Sequence, residues 1–167
     1  MENANQIAPV RARQIMHSYT PRGWKVKMGG AQQRGASGLC DWSEKRLYVP
    51  LVCDDYSLFV FLHECGHVRC RHGYDTRPSH MIEYEAEMYA QGALRECGFR
   101  VTREITRAGK AYVADEIIKD RIKGLPIDPQ VNRWANRKSR CVARSRTAML
   151  EHHTDKSHAA GAYEYVS

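Results

Sequence analysis

The chain has 167 residues, 43% of them hydrophobic and 27% charged. That suits one domain with a core and a short extension and excludes two enzyme domains, a collagen-like repeat or wholesale disorder. The net charge of +7 is uneven: residues 1–50 carry eight basic and three acidic side chains, 51–122 ten and twelve, and 123–167 eight and four. A mildly acidic centre between basic flanks fits an acidic protein or a nucleic acid as neighbour.

The longest uninterrupted apolar run, 58–62, is far too short to cross a bilayer, and no hydrophobic segment follows the first charges as it would in a secretory signal. A cytoplasmic protein without membrane contact is the expectation. The six cysteines (Cys40, Cys53, Cys65, Cys70, Cys97, Cys141) contain no CxxC pair, so reduced thiols are expected.

In chain order, residues 9–20 predict a first helix, stopped by Pro21, Arg22 and Gly23. Residues 24–29 alternate as a short strand, and the glycine-rich stretch to Gly38 reads as a loop. GLCDW and RLYVPL, separated by Ser43, Glu44 and Lys45, predict a hairpin, with Pro50 favouring an edge position for its second arm. Asp54 or Asp55 caps a long apolar helix for which Gly73 is the expected stop. A second helix is expected over 80–97, closed by Gly98, and a third over 111–124. Strand, hairpin and three helices make an α+β pattern.

The long apolar helix contains His63, Glu64 and His67, an HExxH sequence. At 3.6 residues per turn the two histidines share one helix face and can reach a single zinc ion, with Glu64 beside them for an activated water. Two histidines under-coordinate zinc, so a third protein ligand is required. The second helix offers Glu85 and His80. Glu85 lies on a stripe with Met81, Met88, Tyr89 and Gly92, whereas Glu83 and Glu87 fall about 160° to either side of it. Gly66 would let the two helices approach closely.

HECGHVRCRH followed by EYEAEMYAQGAL resembles the ImmA/IrrE-like zinc metallopeptidases, whose pattern is an HExxH helix and then a helix with an ExEA element. The strand RLYVPL is similar to that family's edge strand, and the match covers about residues 38–98. The resemblance implies a small zincin or gluzincin-like fold, a short antiparallel sheet packed on the HExxH helix. It implies His63, His67 and Glu85 as zinc ligands and Glu64 as general base. It also implies limited proteolysis of a protein substrate, a DNA-binding repressor of a phage or mobile element. Glu87 stands where the family often has Asn. Two other readings are open: a SprT-like protease with His80 as third ligand, acting on DNA-bound proteins, and a non-catalytic zinc-containing module.

Tyr48, Tyr84, Tyr89 and His72 are the candidates for stabilising an oxyanion. The expected domain covers residues 1–125, with 126–167 a basic extension, partly helical or disordered. Between 129 and 150 it carries Arg133, Arg137, Lys138, Arg140, Arg144 and Arg146 and no acid. This segment is the candidate contact for nucleic acid.

Overall fold

Residues 57–66 are buried without interruption, and they lie in one helix around which the other elements pack. In this computed structural model residues 6–29, 37–137 and 164–166 are described, the last three as backbone alone. The elements are α1 (Pro9–Tyr19), β1 (Lys25–Met28), β2 (Leu39–Asp41), β3 (Arg46–Val49), α2 (Asp55–Arg69), α3 (Ser79–Glu96), α4 (Arg103–Ile122), α5 (Pro129–Asn136) and β4 (Glu164–Val166). The fold is α+β. No helix among the described residues is long and apolar enough to cross a membrane.

Asp54 starts α2 through a capping box. Its carboxylate accepts the Ser57 N–H at 2.8 Å, and Ser57 Oγ accepts the Asp54 N–H at 3.0 Å. The helix stops at Arg69, a turn before the expected Gly73, because Arg71 adopts a left-handed conformation (φ 59°) and a 3₁₀ turn follows at His72–Tyr74. Gly73 serves packing instead: a Cβ there would overlap the Trp42 indole.

The hairpin forms, with β2 and β3 antiparallel in the register Leu39↔Tyr48, Cys40↔Leu47 and Asp41↔Arg46. The sheet as a whole is mixed, ordered β2-β3-β1-β4, because β1 runs parallel to β3. This corrects two expectations, an antiparallel sheet and an edge position for RLYVPL. Leu47, Tyr48 and Val49 are all buried, so β3 takes the interior place. Pro50 follows the last paired residue, Val49, and its missing N–H costs no ladder bond. Of the hairpin's two arms it is β2 that lies at a sheet edge.

Val26, Leu47, Val49, Leu58, Phe61, Leu62, Ala90, Ala93 and Leu94 belong to the main core between sheet, α2 and α3. The helices α2 and α3 come close at Gly66, where an added Cβ would lie 3.1 Å from Tyr89 Cδ1 and 3.2 Å from Ala86 Cα. Thr102, whose side chain accepts the Ile105 N–H at 3.2 Å, starts α4 eight residues before the expected 111. Gly98 and Gly124 take the left-handed conformation that ends their helices, φ 84° and 73°.

The helix α5 packs on α4, with Val131 against Val113 and Ile117 and Trp134 edge-on to Tyr84 at 5.1 Å. The packed body therefore continues past the expected boundary at 125, to the end of α5. Lys138, Arg140, Arg144, Arg146, Cys141 and the glycine-rich stretch 30–36 lie outside the described residues. The five described cysteines are free thiols.

Candidate metal centre

On α2, His63 and His67 are one turn apart, and their Nε2 atoms stand 3.1 Å from each other. A carboxylate oxygen completes the triangle: Glu83 Oε2 of α3 is 3.1 Å from His63 Nε2 and 3.5 Å from His67 Nε2. Tetrahedral zinc with bonds of about 2.0–2.1 Å holds its donor atoms about 3.3 Å apart. Three separations of 3.1, 3.1 and 3.5 Å fit that figure, and two imidazoles with one carboxylate are an ordinary zinc donor set. The residues present can hold a metal ion.

The carboxylate at this triangle belongs to Glu83, where Glu85 was expected. Glu85 is turned to Arg77 and His72. The cause is the rotation of α3 about its axis. Its buried residues are His80, Ala86, Glu87, Ala90, Gln91, Ala93 and Leu94, and of these Ala86 lies against Gly66. Met81, Met88 and Tyr89 lie outside that buried face, and Glu85 goes with them.

His80 is not available as a ligand. It is wholly buried, its Nδ1–H donates to Asp120 Oδ2 at 2.9 Å and its Nε2 accepts the Asp128 N–H at 3.0 Å. Asp120 Oδ2 also accepts the His80 N–H at 2.9 Å, so this histidine ties α3 to α4 and to the start of α5.

Two carboxylates stand behind the imidazoles. Glu87 Oε1 lies 3.5 Å from His63 Nδ1 in a buried position, and Gly109 of α4 makes room for it, since a Cβ there would fall on the carboxylate. Neither His63 Nδ1 nor Glu87 Oε2 has a hydrogen-bond partner among the described residues. Burial opposes charge on His63, yet Glu83, Glu87 and Glu64 outweigh it and carry the imidazole up to about 10. Burial would raise the Glu83 carboxyl, but hydrogen bonds to His63 and His67 hold it well below the usual carboxylate range. This is an excess of negative charge that a cation or a proton must balance.

The other carboxylate is Glu85. It accepts from His72 Nε2 at 3.1 Å, while His72 Nδ1 lies 2.9 Å from His67 Nδ1. Burial lowers the His72 pKa, with Glu85 opposing.

Glu64 is buried, lines a narrow cleft with His63, Glu87, Gly109 and Tyr56, and reaches towards β2. A Cβ on Gly38, at the head of that strand, would lie 2.9 Å from Glu64 Cγ and Cδ and still closer to Oε1. Among the candidates for an oxyanion partner, the Tyr48 hydroxyl donates to Glu44 at 2.6 Å, Tyr84 meets Trp134 edge-on, Tyr89 covers Gly66 and His72 is engaged with Glu85. Tyr112 of α4, which nothing in the sequence singled out, has its ring 6.1 Å from that of His63. Gly109 was missed too, and Glu83 and Glu87 were set aside in favour of Glu85, although they sit four residues apart, in step with His63 and His67.

No protein-family model, curated protein or solved structure matches this chain.

Proposed function

We propose that this chain is a zinc-dependent peptidase in which His63, His67 and Glu83 hold the metal and Glu64 is the general base. The observation that carries the reading is the convergence of three donor atoms within 3.5 Å of one another, two of them on the helix that also carries the buried Glu64. Zinc, when bound, supplies a Lewis acid that brings water towards a neutral pKa and polarises a carbonyl. Glu64 then takes a proton from the attacking water and delivers it to the leaving amine.

The strand β2 lies at the sheet edge, with no strand outside it among the described residues, and Gly38 places the Glu64 carboxylate at its head. An extended peptide pairing with the Leu39–Asp41 backbone would bring a scissile bond past Glu64, a mode that demands little of the peptide's sequence. The resemblance of HECGHVRCRH and EYEAEMYA to the ImmA/IrrE-like enzymes extends the proposal to limited proteolysis of a DNA-binding regulator. The SprT-like reading loses its third ligand with His80 committed to Asp120 and Asp128.

The test is metal analysis combined with a proteome comparison of cells producing wild type and Glu64→Gln. One zinc per chain in both proteins, with substrates cleaved by the wild type alone, is the expected result. A Glu64→Gln protein that retains zinc and produces the same cleavages would refute the enzyme reading, and a wild type without zinc affinity would refute the metal centre.

A further inference from the structure

Behind the metal centre, the turn after α2 brings back a histidine that the HExxH pattern does not include. The left-handed Arg71 and the 3₁₀ turn His72–Tyr74, seated on Trp42 at Gly73, fold the chain so that His72 Nδ1 comes within 2.9 Å of His67 Nδ1. His72 Nε2 is 3.1 Å from Glu85 Oε2. The Arg77 guanidinium grips both oxygens of Glu85, Nη1 to Oε1 at 2.7 Å and Nη2 to Oε2 at 2.8 Å, and Asp75 accepts from Arg77 Nε at 2.9 Å in turn. The chain of contacts runs outward from His67 through His72, Glu85 and Arg77 to Asp75.

Protons can be placed along this chain in one way that serves a metal. A ligating His67 directs the Nε2 lone pair at the ion and carries its proton on Nδ1. That N–H donates to His72 Nδ1, which must then be the bare nitrogen, leaving the His72 proton on Nε2 to be donated to Glu85. Each donor meets one acceptor, and the anion at the far end is held by a forked guanidinium. Resting on the metal reading above, we propose that His72 is a positioning residue of that site: it selects the ligating tautomer of His67, fixes its ring, and does so because Glu85 and Arg77 orient His72.

The same turn allows a rival arrangement, a second cation held by Cys70, His72 and Glu85, whose donor atoms lie within 4.8 Å of one another. Arg77 argues against it. A cation on Glu85 would sit beside a guanidinium already bonded to both carboxylate oxygens.

Zinc affinity measured by competition with a chromogenic chelator, together with the visible spectrum of the cobalt-substituted protein, tests the proposal. The proteins are the full-length wild type, His72→Phe, His72→Gln, Glu85→Gln, Arg77→Ala and the double variant His72→Phe/Glu85→Gln. Removing an outer partner of a ligating histidine costs about 10–100-fold in metal affinity. We expect that loss for His72→Phe with one metal per chain retained, a shifted cobalt spectrum, and partial recovery in His72→Gln, whose amide can both accept and donate. Glu85→Gln and Arg77→Ala should each weaken zinc by a smaller factor. The double variant should bind no more weakly than His72→Phe alone, since Glu85 acts through His72.

Wild-type affinity in His72→Phe, or an additive loss in the double variant, would overturn the proposal. So would a second equivalent of cobalt with a thiolate charge-transfer band that Cys70→Ser removes. Should His72→Phe fail to fold, the two-fifths-exposed Glu85 and Arg77 still decide the matter: wild-type affinity in both of their variants overturns it. Failure of the wild type to bind zinc strikes the metal reading itself, and so the two failures are distinguishable.

Discussion

Gly38→Ala isolates the placement of the general base from the metal and from the fold. The added methyl would stand 2.9 Å from Glu64 Cγ and Cδ, where ordinary contact begins at 3.4 Å, and closer still to Oε1. The side-chain carbons must therefore retreat about 0.5 Å and the carboxylate oxygen about 1 Å, a displacement of the size that costs roughly 100-fold in rate when it misplaces a catalytic group. The obstacle is the far end of a flexible side chain rather than backbone, and the substitution also removes conformational freedom from the unfolded chain, a gain of about 0.4–1 kcal/mol. Unfolding free energy should accordingly stay within about 1 kcal/mol of wild type. The assay is cleavage of a peptide library by zinc-loaded protein, read by mass spectrometry, with zinc content and urea unfolding on the same samples. A Gly38→Ala protein that carries zinc and cuts at the wild-type rate would refute the reasoning.

Three further outcomes follow from the same geometry. Glu83→Gln should abolish stoichiometric zinc binding while Glu85→Gln retains one zinc per chain, as read by metal analysis after dialysis; the reverse pattern would restore Glu85 to the ligand set. Because the pKa of His63 is raised to about 10, its imidazole holds a proton throughout the neutral range in the metal-free protein, and zinc must displace it. Glu83 is already ionised and releases none, so zinc affinity should rise about tenfold per pH unit between pH 7 and 9; a flat titration over that interval contradicts it. Asp120→Ala leaves the His80 N–H and Nδ1–H buried without an acceptor, at about 1–3 kcal/mol each. Urea unfolding should show a loss of about 2–6 kcal/mol, and a change below about 1 kcal/mol would mean that another group accepts these protons.

Several features set by near neighbours in the chain were legible in the sequence, although Gly73 as the stop of α2 was not one of them. The aspartate cap of α2, the hairpin from Leu39 to Val49 and the helix stops at Gly98 and Gly124 all depend on residues within a few positions of each other. Expectations that leaned on a distant partner fared differently. Pro50 made β3 look like an edge strand, yet the place of a strand in a sheet follows from how many of its side chains are buried, and here Leu47, Tyr48 and Val49 all are. The helix expected over 111–124 begins instead at Arg103 and runs through Gly109, where the absence of a side chain admits the Glu87 carboxylate from α3.

The HExxH spacing was sufficient to put two imidazoles and a glutamate on one helix, since one turn of backbone sets their separation whatever surrounds it. The identity of the third donor was not contained in any such spacing. Two glutamates two residues apart on α3 project to nearly opposite sides, and the one that meets the histidines depends on which side of the helix packs. Hydropathy favoured the side with Met81, Met88 and Tyr89. The side that is buried is instead the one with Ala86, Glu87 and Ala90, where Ala86 lies against Gly66 and where the acids find imidazoles to balance their charge. Glu83 meets the histidines for that reason, and Glu85, on the other side, is left to hold His72.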